Sequence, residues 1–504
     1  MKTTGFLAAA ILIVAANRQG IAFGDWPQFA GGAGHAAVAT DAPDDLTAIL
    51  WLAGESPPGT PIVFEGPSSP VVFEDRVFVN ARHFTDAVYT HNKLIAFEAG
   101  SGQVLWETIV DKTVFDFWFS PVVDAANGAV LLGTGGSLHS LDAVGGGINW
   151  STPLDQGIVN ATAVVAQDLT PGRAFMTDYD PFGSVGSLYC INTSDFESAA
   201  NPYQPGDVVW RETLGDTSGN TPAYHDGTVY VAAVAGPVGM NGRVYAFDVD
   251  APEPTRLLWK YELPVAQGFF CVVGYAAGFV YAASYNFDGS GDNSFLVKLD
   301  ALTGDAAWIV PCERTLSAPV VDGDRIYLAA GIPGFGSVPK VQAFRDDGSS
   351  AVKIWDTWND TAGALLVGGW THQPVLADGI LFAGAIPTAG SFFAPYTDLY
   401  LLDVSKTPDD AGFIVDHLPD MGSSPAICGG RLYTIGQAGL HAVAARGDFC
   451  GADGTVNGLD VQCFTAALLS GSPSEVEIAL GDFNDDALLS LDDVPGFLTR
   501  LLGP

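Results

Sequence analysis

The stretch LIAFEAGSGQVLW, residues Leu94–Trp106, consists of two apolar segments that are joined by a glycine-containing turn and end on tryptophan. Short apolar segments separated by such a turn are typical of a β-hairpin. The same ending returns about every fifty residues, at Trp150, Trp210, Trp259, Trp308 and Trp355. A repeat of this period indicates an array of similar β-units.

A second motif has the same period and consists of a small or polar residue, a proline and an apolar strand. It occurs as Ser69-Pro70, Ser120-Pro121, Thr221-Pro222, Ala318-Pro319, Gln373-Pro374 and Ser424-Pro425. Two of the intervals, 101 and 97 residues, are about twice the others, which are 51, 55 and 51. We therefore expect degenerate copies near residues 160–165 and 270–273, which makes eight units.

The two ends of the array complement each other. Leu46–Leu52, which contains Trp51, reads as a closing strand with no unit before it, whereas the last unit ends at Gly439–Ala445 without a closing strand. The first strand completes the last sheet only if the array bends into a ring, which also removes the exposed ends of the array. We predict a mainly β fold: an eight-bladed β-propeller over residues 25–446, closed by an N-terminal strand.

The tryptophans fall into two groups. Those of the repeat are expected to pack between adjacent blades. Trp26, Trp118, Trp358 and Trp370 fall outside the repeat. They are candidates for a surface or channel-mouth site, where an unidentified ligand of the propeller face would bind.

The N-terminus predicts export. Lys2 precedes an apolar stretch, Gly5–Ala16, that is too short to span a bilayer, and Ala22-Phe23-Gly24 has the small residues of a cleavage site. We predict that residues 1–24 are a signal peptide and that the mature protein is secreted, either extracellular or periplasmic. No later apolar run is long enough for a membrane span. The net charge of −36 argues against nucleic acid as a partner.

An oxidising compartment permits disulfides between the six cysteines of the chain. Six cysteines allow many connectivities, and the sequence does not choose among them. Cys450 and Cys463 lie close together in the C-terminal tail, so this pair is the first candidate.

The tail, residues 447–504, carries oxygen-bearing side chains with the spacing of calcium loops. In the loop that begins at Asp482, the ligand positions hold Asp482, Asn484, Asp486, Leu488 through its carbonyl, Ser490 and Asp493. An earlier copy supplies Asp448, Asp453, Asn457 and Asp460, with its start ambiguous between residues 448 and 449. Calcium takes six to eight such oxygens. Apolar residues three and four apart predict one short helix after each loop. We therefore predict two Ca²⁺ sites in an EF-hand-like α-helical pair.

The propeller repeat resembles a known family. Ala96–Trp106 and Lys298–Trp308 resemble the tryptophan-docking repeat of pyrroloquinoline-quinone-like (PQQ-like) propellers, and DWPQF at residues 25–29 resembles the first segment of that superfamily. The resemblance implies the propeller fold and either a binding role or PQQ-dependent oxidation. The quinone dehydrogenases of this superfamily carry two adjacent cysteines beside the cofactor, and this chain has no adjacent pair. That departure argues against bound PQQ.

The tail resembles a type I dockerin domain, which has two calcium loops that are each followed by one helix. Such domains hold cohesin modules, so the resemblance implies a cohesin-like protein partner. The recognition positions, ten and eleven of each loop, hold Gly458-Leu459 and Leu491-Asp492. A calcium-stabilised cap without a partner explains the same pattern, and both interpretations stay open.

The sequence contains no nucleophile elbow, phosphate loop or paired-histidine motif. We therefore expect a secreted, non-catalytic binding or scaffolding propeller whose calcium-binding tail attaches it to another protein. Two alternatives stay open. One is a PQQ-dependent or other oxidoreductase with its site in the channel, and the other is a carbohydrate-active component of a dockerin-mediated assembly.

Overall fold

A computed structural model describes residues 25–503, except for 44–45, 66–67, 113–119, 180–184, 216–219, 237–239, 288–290, 333–336, 361–364, 387–395 and 451–452. The predicted signal peptide and Trp118 lie outside the described residues. The described chain forms eight sheets arranged as a propeller, followed by three short helices. The predicted mainly β, eight-bladed propeller is confirmed.

Blades 1 to 4 follow one another along the chain as antiparallel sheets. The first strands of neighbouring blades contact each other, so they lie nearest the axis. The strands are Val71–Phe73, Arg76–Thr85, Val88–Glu98 and Val104–Val110 in blade 1; Val122–Asp124, Ala129–Thr134, Ser137–Asp142 and Ile148–Pro153 in blade 2; Val164–Ala166, Arg173–Thr177, Gly186–Asn192 and Val208–Gly215 in blade 3; and Ala223–His225, Thr228–Gly236, Met240–Asp248 and Leu257–Glu262 in blade 4. A short strand, Val63–Phe64, also pairs with the second strand of blade 1.

Blades 5 to 8 continue the same order. Their strands are Gly274–Ala276, Phe279–Ala283, Ser294–Asp300 and Ala306–Cys312 in blade 5; Val320–Asp322, Arg325–Ala330, Lys340–Asp346 and Ala351–Asp356 in blade 6; Val375–Ala377, Ile380–Ala385, Asp398–Asp403 and Ile414–Pro419 in blade 7; and Ala426–Cys428, Arg431–Ile435, Leu440–Ala444 and Ala48–Ala53 in blade 8. A further strand, Val38–Ala39, lies parallel to the first strand of blade 7.

Blade 8 is assembled from both ends of the propeller. The strand Ala48–Ala53 pairs antiparallel with Leu440–Ala444, and Ala53 lies opposite Leu440. Trp51 lies opposite Ala442 in the same ladder. The predicted closure of the ring by an N-terminal strand is therefore confirmed.

The tryptophan and the glycine of the repeat meet across the junction between two blades. The Trp106 ring of blade 1 packs on Gly146 in the last turn of blade 2, and its indole N–H donates to the Ala143 carbonyl at 3.3 Å. At the seam, Trp51 packs on Gly102 of blade 1 in the same way. These glycines have φ of +72° and +69°, and a Cβ on either would lie 2.5 Å from the ring. The repeat therefore encodes the contact between neighbouring blades.

At the junction between blades 5 and 6, the indole N–H of the tryptophan donates to a carboxylate instead of a backbone carbonyl. The indole of Trp308 donates to the Asp346 carboxylate at 3.0 Å, and Lys298 Nζ lies 2.6 Å from the same carboxylate. Both charged side chains are almost fully buried. Since a buried ion needs its partner, the pair ties the two blades together.

Hydroxyl groups of the proline motif link the blades near the axis. The Ser69 N–H donates to Ser120 Oγ at 3.0 Å, and the Ser120 N–H donates to Thr162 Oγ1 at 3.1 Å. The Thr162 N–H in turn donates to Thr221 Oγ1 at 2.9 Å. Thr162 lies in a position where we expect a degenerate copy of the motif, and its hydroxyl makes the same contact without a following proline. The polar residue is therefore the part of the motif that joins the blades.

The tail contains three helices, α1 (Asp460–Leu469), α2 (Glu475–Gly481) and α3 (Val494–Leu502). α1 and α3 are the helices predicted to follow the two loops. α2 is an addition, and it begins with a capping box in which Ser474 and Glu477 satisfy each other's backbone N–H groups. Cys450 and Cys463 form a disulfide that joins the first loop to α1, as expected.

Candidate functional site

The N-terminal segment, residues 25–41, lies inside one end of the channel. It bonds in turn to seven blades, and its partners are Val72, Val123, Val165, Tyr224, Tyr275, Leu376 and Gly430. Its Asp25 carboxylate accepts the N–H of Glu74 at 2.9 Å. Because Glu74 and Gly430 lie in turns that follow a first strand, the segment occupies the end of the channel where these turns meet.

The side chains of this segment are fixed by buried hydrogen bonds. The amide of Gln28 exchanges two bonds with the backbone of Val165, at 2.9 and 3.0 Å. His35 Nδ1 donates to the Val273 carbonyl at 2.9 Å, and burial lowers the pKa of His35 to about 4. The imidazole is therefore neutral near pH 7 and adds no charge to the channel. The segment leaves a hollow of about 260 Å³ on its own surface.

Charged side chains are buried at the other end, where blade 5 connects to blade 6. The Glu313 carboxylate lies 3.5 Å from Lys340 Nζ and 3.8 Å from Arg314 Nε. Burial raises the pKa of Glu313. The Arg314 guanidinium lies 5.7 Å from the centre of the Tyr285 ring, which lies 6.1 Å from the Trp370 ring. These five residues are each at most 8% exposed, and together they form a buried cluster that is the candidate ligand site of the channel.

Three of the four tryptophans outside the repeat lie in the described residues. Trp26 is buried in the N-terminal segment and Trp370 in the charged group at the opposite end. Trp358 is half-buried in the turn after the last strand of blade 6. Of the tryptophans outside the repeat, Trp370 is therefore the one that lies in the candidate ligand site.

In the second loop of the tail, the first and last ligand residues point inward. The Asp482 carboxylate accepts the N–H of Ala487 at 2.8 Å, and the Asp493 carboxylate accepts those of Phe483 and Ser490 at 2.8 Å. Ala487 adopts φ of +62° at the position where such loops carry glycine. The backbone therefore makes the sharp turn of a calcium loop despite the alanine.

The first loop repeats this arrangement residue by residue. Asp448 accepts the N–H of Gly454 at 3.0 Å, and Asp460 accepts those of Phe449 and Asn457 at 2.8 Å. Asp448 thus corresponds to Asp482, which resolves the ambiguous start of the loop in favour of residue 448. The additional residue of this loop lies between positions 448 and 454.

The other predicted ligands are held in pairs. Asn484 Nδ2 donates to Asp486 Oδ2 at 3.1 Å, and Asn457 Nδ2 donates to Asp453 Oδ2 at 3.1 Å. Leu488, the carbonyl ligand, donates its N–H to the Asp486 carboxylate. In the part of the chain that the structure describes, no three His, Cys, Asp or Glu side chains gather as a metal site. The structure therefore brings the ligands of each loop together pairwise.

One carboxylate oxygen of Asp448, in the first loop, lacks a hydrogen-bond donor in the described structure. Asp448 is 4% exposed, and its Oδ1 has no hydrogen-bond partner among the described atoms, whereas its other oxygen is held by Gly454. Burial, and then the nearby negative charge of Asp460, raise the pKa of Asp448 to about 7. A buried carboxylate oxygen without a hydrogen-bond donor fits the ligand chemistry of a hard cation.

Comparisons with known proteins agree with this fold. A sequence profile described as "Outer membrane protein assembly factor BamB" matches residues 90–180. BamB from Moraxella catarrhalis has 15% identity and a TM-score of 0.51, covering 78% of this chain and 99% of its own. The quinohemoprotein alcohol dehydrogenase from Pseudomonas putida HK5 has 12% identity and a TM-score of 0.55, covering 86% and 78%. That from Comamonas testosteroni has 13% identity and a TM-score of 0.52, covering 86% and 81%. No curated protein sequence matches the chain.

These findings define the class of protein. The chain forms an eight-bladed β-propeller, a fold that it shares with these solved structures. Within it, residues 90–180 carry the repeat of the BamB profile. None of the helices in the described ranges has the length and hydropathy needed to cross a membrane.

Proposed function

We propose that this protein is a secreted, non-catalytic binding propeller that attaches to a partner protein through its calcium-binding tail. The observation that carries the attachment is a set of exposed leucines on the tail. Leu459 and Leu491, at the recognition positions of the two loops, are 64% and 75% exposed. Leu469 and Leu502, which end α1 and α3 at matching places, are 76% and 79% exposed. Large apolar side chains exposed in this number favour a protein-binding surface.

The cation would be held by the two loops. In the second loop the ligands are Asp482, Asn484, Asp486, the Leu488 carbonyl, Ser490 and Asp493, and in the first they are Asp448, Asp453, Asn457 and Asp460. Calcium would supply positive charge to carboxylates whose hydrogen-bond donors are backbone N–H groups, amides and the Thr455 hydroxyl. The backbone N–H groups that converge on the first and last carboxylates hold these side chains inward, which supports ordered loops.

A pull-down with a panel of cohesin modules, with calcium or with a chelator, tests the attachment. We expect capture that requires calcium and is lost in a Leu459→Ser/Leu491→Ser variant, because its exposed apolar contacts are removed. Leu302→Ser is the matched control, since Leu302 is 88% exposed on the propeller. Equal capture by the leucine variant and the control would contradict the proposal. If no module binds either protein, the tail is a cap without this partner.

The propeller would bind its own ligand at the face that carries Glu313, Arg314 and Trp370. The match to an assembly factor supports a binding role, and the predicted signal peptide supports a periplasmic or extracellular location. Titration of the mature protein against candidate peptides, followed by Trp fluorescence, tests the binding face. An emission change that Arg314→Gln abolishes would support it, and identical titrations of variant and parent would oppose it.

The second candidate function is a channel-sited oxidoreductase. It is favoured by the aromatic and charged residues buried at the end opposite the N-terminal segment, Tyr285, Trp370 and Arg314, and by the fold shared with quinohemoprotein dehydrogenases. The fit to PQQ is incomplete because the chain has no adjacent cysteines, and Cys271 and Cys312 are separate buried thiols. Reconstitution with PQQ and calcium, followed by an absorbance scan and a dye-linked alcohol assay, tests it. No bound chromophore and no dye reduction would remove this candidate.

A further inference from the structure

The tail packs on the seam where the ring closes. Helix α2 contacts the closing strand Ala48–Ala53, and the Leu480 carbonyl of α2 accepts the N–H of Gly447 at 2.8 Å. The N–H of Arg446 donates to Thr47 Oγ1, just before that strand. The aromatic core of the tail, Phe449, Phe464 and Phe497, belongs to the same buried apolar cluster as Trp51 at the seam.

The first loop of the tail also contacts residues 41–43, the arm that precedes the closing strand. Gly454, at the sharp turn of this loop, leaves room for the backbone of Ala42 and Pro43. A Cβ on Gly454 would lie 2.3 Å from the Ala42 carbonyl oxygen. Just before this point, the Asp41 carbonyl accepts the N–H of Gly430 in blade 8. The turn of the loop therefore lies directly against the arm that enters the seam.

The same turn is joined to the buried carboxylate of the loop. The N–H of Gly454 holds one oxygen of Asp448, and the other oxygen is buried without a hydrogen-bond partner in the described structure. This unpartnered oxygen is an observation separate from the spacing of the loop, and it points to a cation. A cation held by Asp448 would fix the turn, and the turn would fix the arm.

We propose that the first loop is a calcium-dependent clasp, in which the bound cation keeps the tail seated on the seam and holds the ring closed. This inference rests on the calcium binding proposed above and assigns it a second effect, control of ring closure. The proposal assigns the clasp to the first loop and not to the second. The turn of the first loop contacts the arm at Ala42, whereas the second loop forms an ion pair between Asp485 and Arg446 and packs Phe483 and Leu489 against the buried cluster.

Hydrogen exchange on the full mature chain tests the clasp, with Ca²⁺ or a chelator and with Mg²⁺ as a control. If opening of the seam releases the cation, protection of amides in the strand Ala48–Ala53 rises by the factor 1 + [Ca²⁺]/Kd, about 100-fold at 100 Kd. The strand Thr228–Gly236 of blade 4, remote from the tail along the ring, is the internal reference and should not change.

Two matched variants assign the effect to one loop. Asp460→Asn in the first loop should remove the calcium-dependent protection, whereas Asp493→Asn in the second should retain it and lower the stoichiometry from calorimetry by one ion. If calorimetry detects no calcium binding, the proposed function itself fails. If calcium binds and protection of the closing strand is unchanged, or if Asp493→Asn abolishes it equally, the clasp is overturned while calcium binding stands.

Discussion

Replacing Gly146 with alanine tests whether each repeat needs glycine because of the tryptophan in the preceding blade. The φ of +72° at Gly146 costs an L-residue about 1–2 kcal/mol. The added Cβ would also lie 2.5 Å from the Trp106 ring, and overpacking of this kind costs about 1–3 kcal/mol. We therefore expect Gly146→Ala to lower the free energy of unfolding by about 2–5 kcal/mol.

Two other glycines separate the backbone effect from the packing effect. Gly128, in the same blade, has φ of +58°, and a Cβ there would meet nothing within 4 Å. Gly128→Ala should therefore lower the free energy of unfolding only by the cost of the strained backbone, about 1–2 kcal/mol. At Gly206 the Cβ would lie 3.1 Å from the Trp150 ring, so Gly206→Ala should fall between the two.

Urea unfolding followed by far-ultraviolet circular dichroism measures all three variants without relying on the fluorescence of the perturbed tryptophan. The midpoint and its slope give the change in free energy for each variant. The ranking Gly146, Gly206, Gly128 follows from the distances between Cβ and ring. Equal losses for Gly146→Ala and Gly128→Ala would refute the claim that the tryptophan selects the glycine.

Three further predictions address other contacts. Asp346→Ala leaves the buried ammonium of Lys298 without its partner and should cost about 3–5 kcal/mol in urea unfolding, whereas Lys298→Met/Asp346→Leu should restore part of the loss. Burial lowers the pKa of His35 to about 4, whereas the same histidine in the unfolded chain has a pKa near 6.5. As the pH falls, the unfolded chain therefore takes up the proton first. Stability should therefore fall by about 3 kcal/mol as the pH drops from 6.5 to 4, and His35→Gln should flatten this part of the profile; parallel profiles would contradict it. Ala487→Gly relieves a left-handed backbone and should raise the thermal midpoint of the tail or leave it level, and a lower midpoint would argue against strain at that turn.

The ring could be predicted from the sequence because each unit carries its own contacts. The spacing of tryptophans and prolines gave eight blades, and the unmatched strand around Trp51 gave the closure. The N-terminal segment could not be placed in the same way. Most of its bonds to the blades run from backbone to backbone, as between Trp26 and Val72, and such bonds leave no pattern in the side chains.

The candidate sites differ in the same way, because one is formed by residues near each other in sequence and the other by residues far apart. The two loops proposed to bind calcium are local in sequence, so spacing alone suggests the ligand residues from Asp448 to Asp493, although the extra residue hides the start of the first loop. The charged group combines Glu313 and Arg314, in the connection between blades 5 and 6, with Lys340 at the start of a strand of blade 6, and no spacing in one sequence indicates it. Helix α2 was missed, although Ser474 followed by Glu477 is the signal of a capping box.

The position of the tail follows from where closing the ring is costly. The strand Ala48–Ala53 meets Leu440–Ala444 across nearly the whole propeller, and closing a chain of roughly 390 residues costs about 5 kcal/mol of entropy beyond a constant term. The four main strands of every other blade are close in sequence, and the long-range ladder that Val38–Ala39 adds to blade 7 has only two residue pairs, so most of this cost falls on blade 8. Blade 7 also lacks the closing tryptophan that would dock on blade 8. Contacts of the tail with the arm and the closing strand, such as those of Gly454 with Ala42 and of helix α2 with Ala48–Ala53, act where the ring is weakest. A tail that only carried a partner would gain nothing from this position, whereas a clasp requires it.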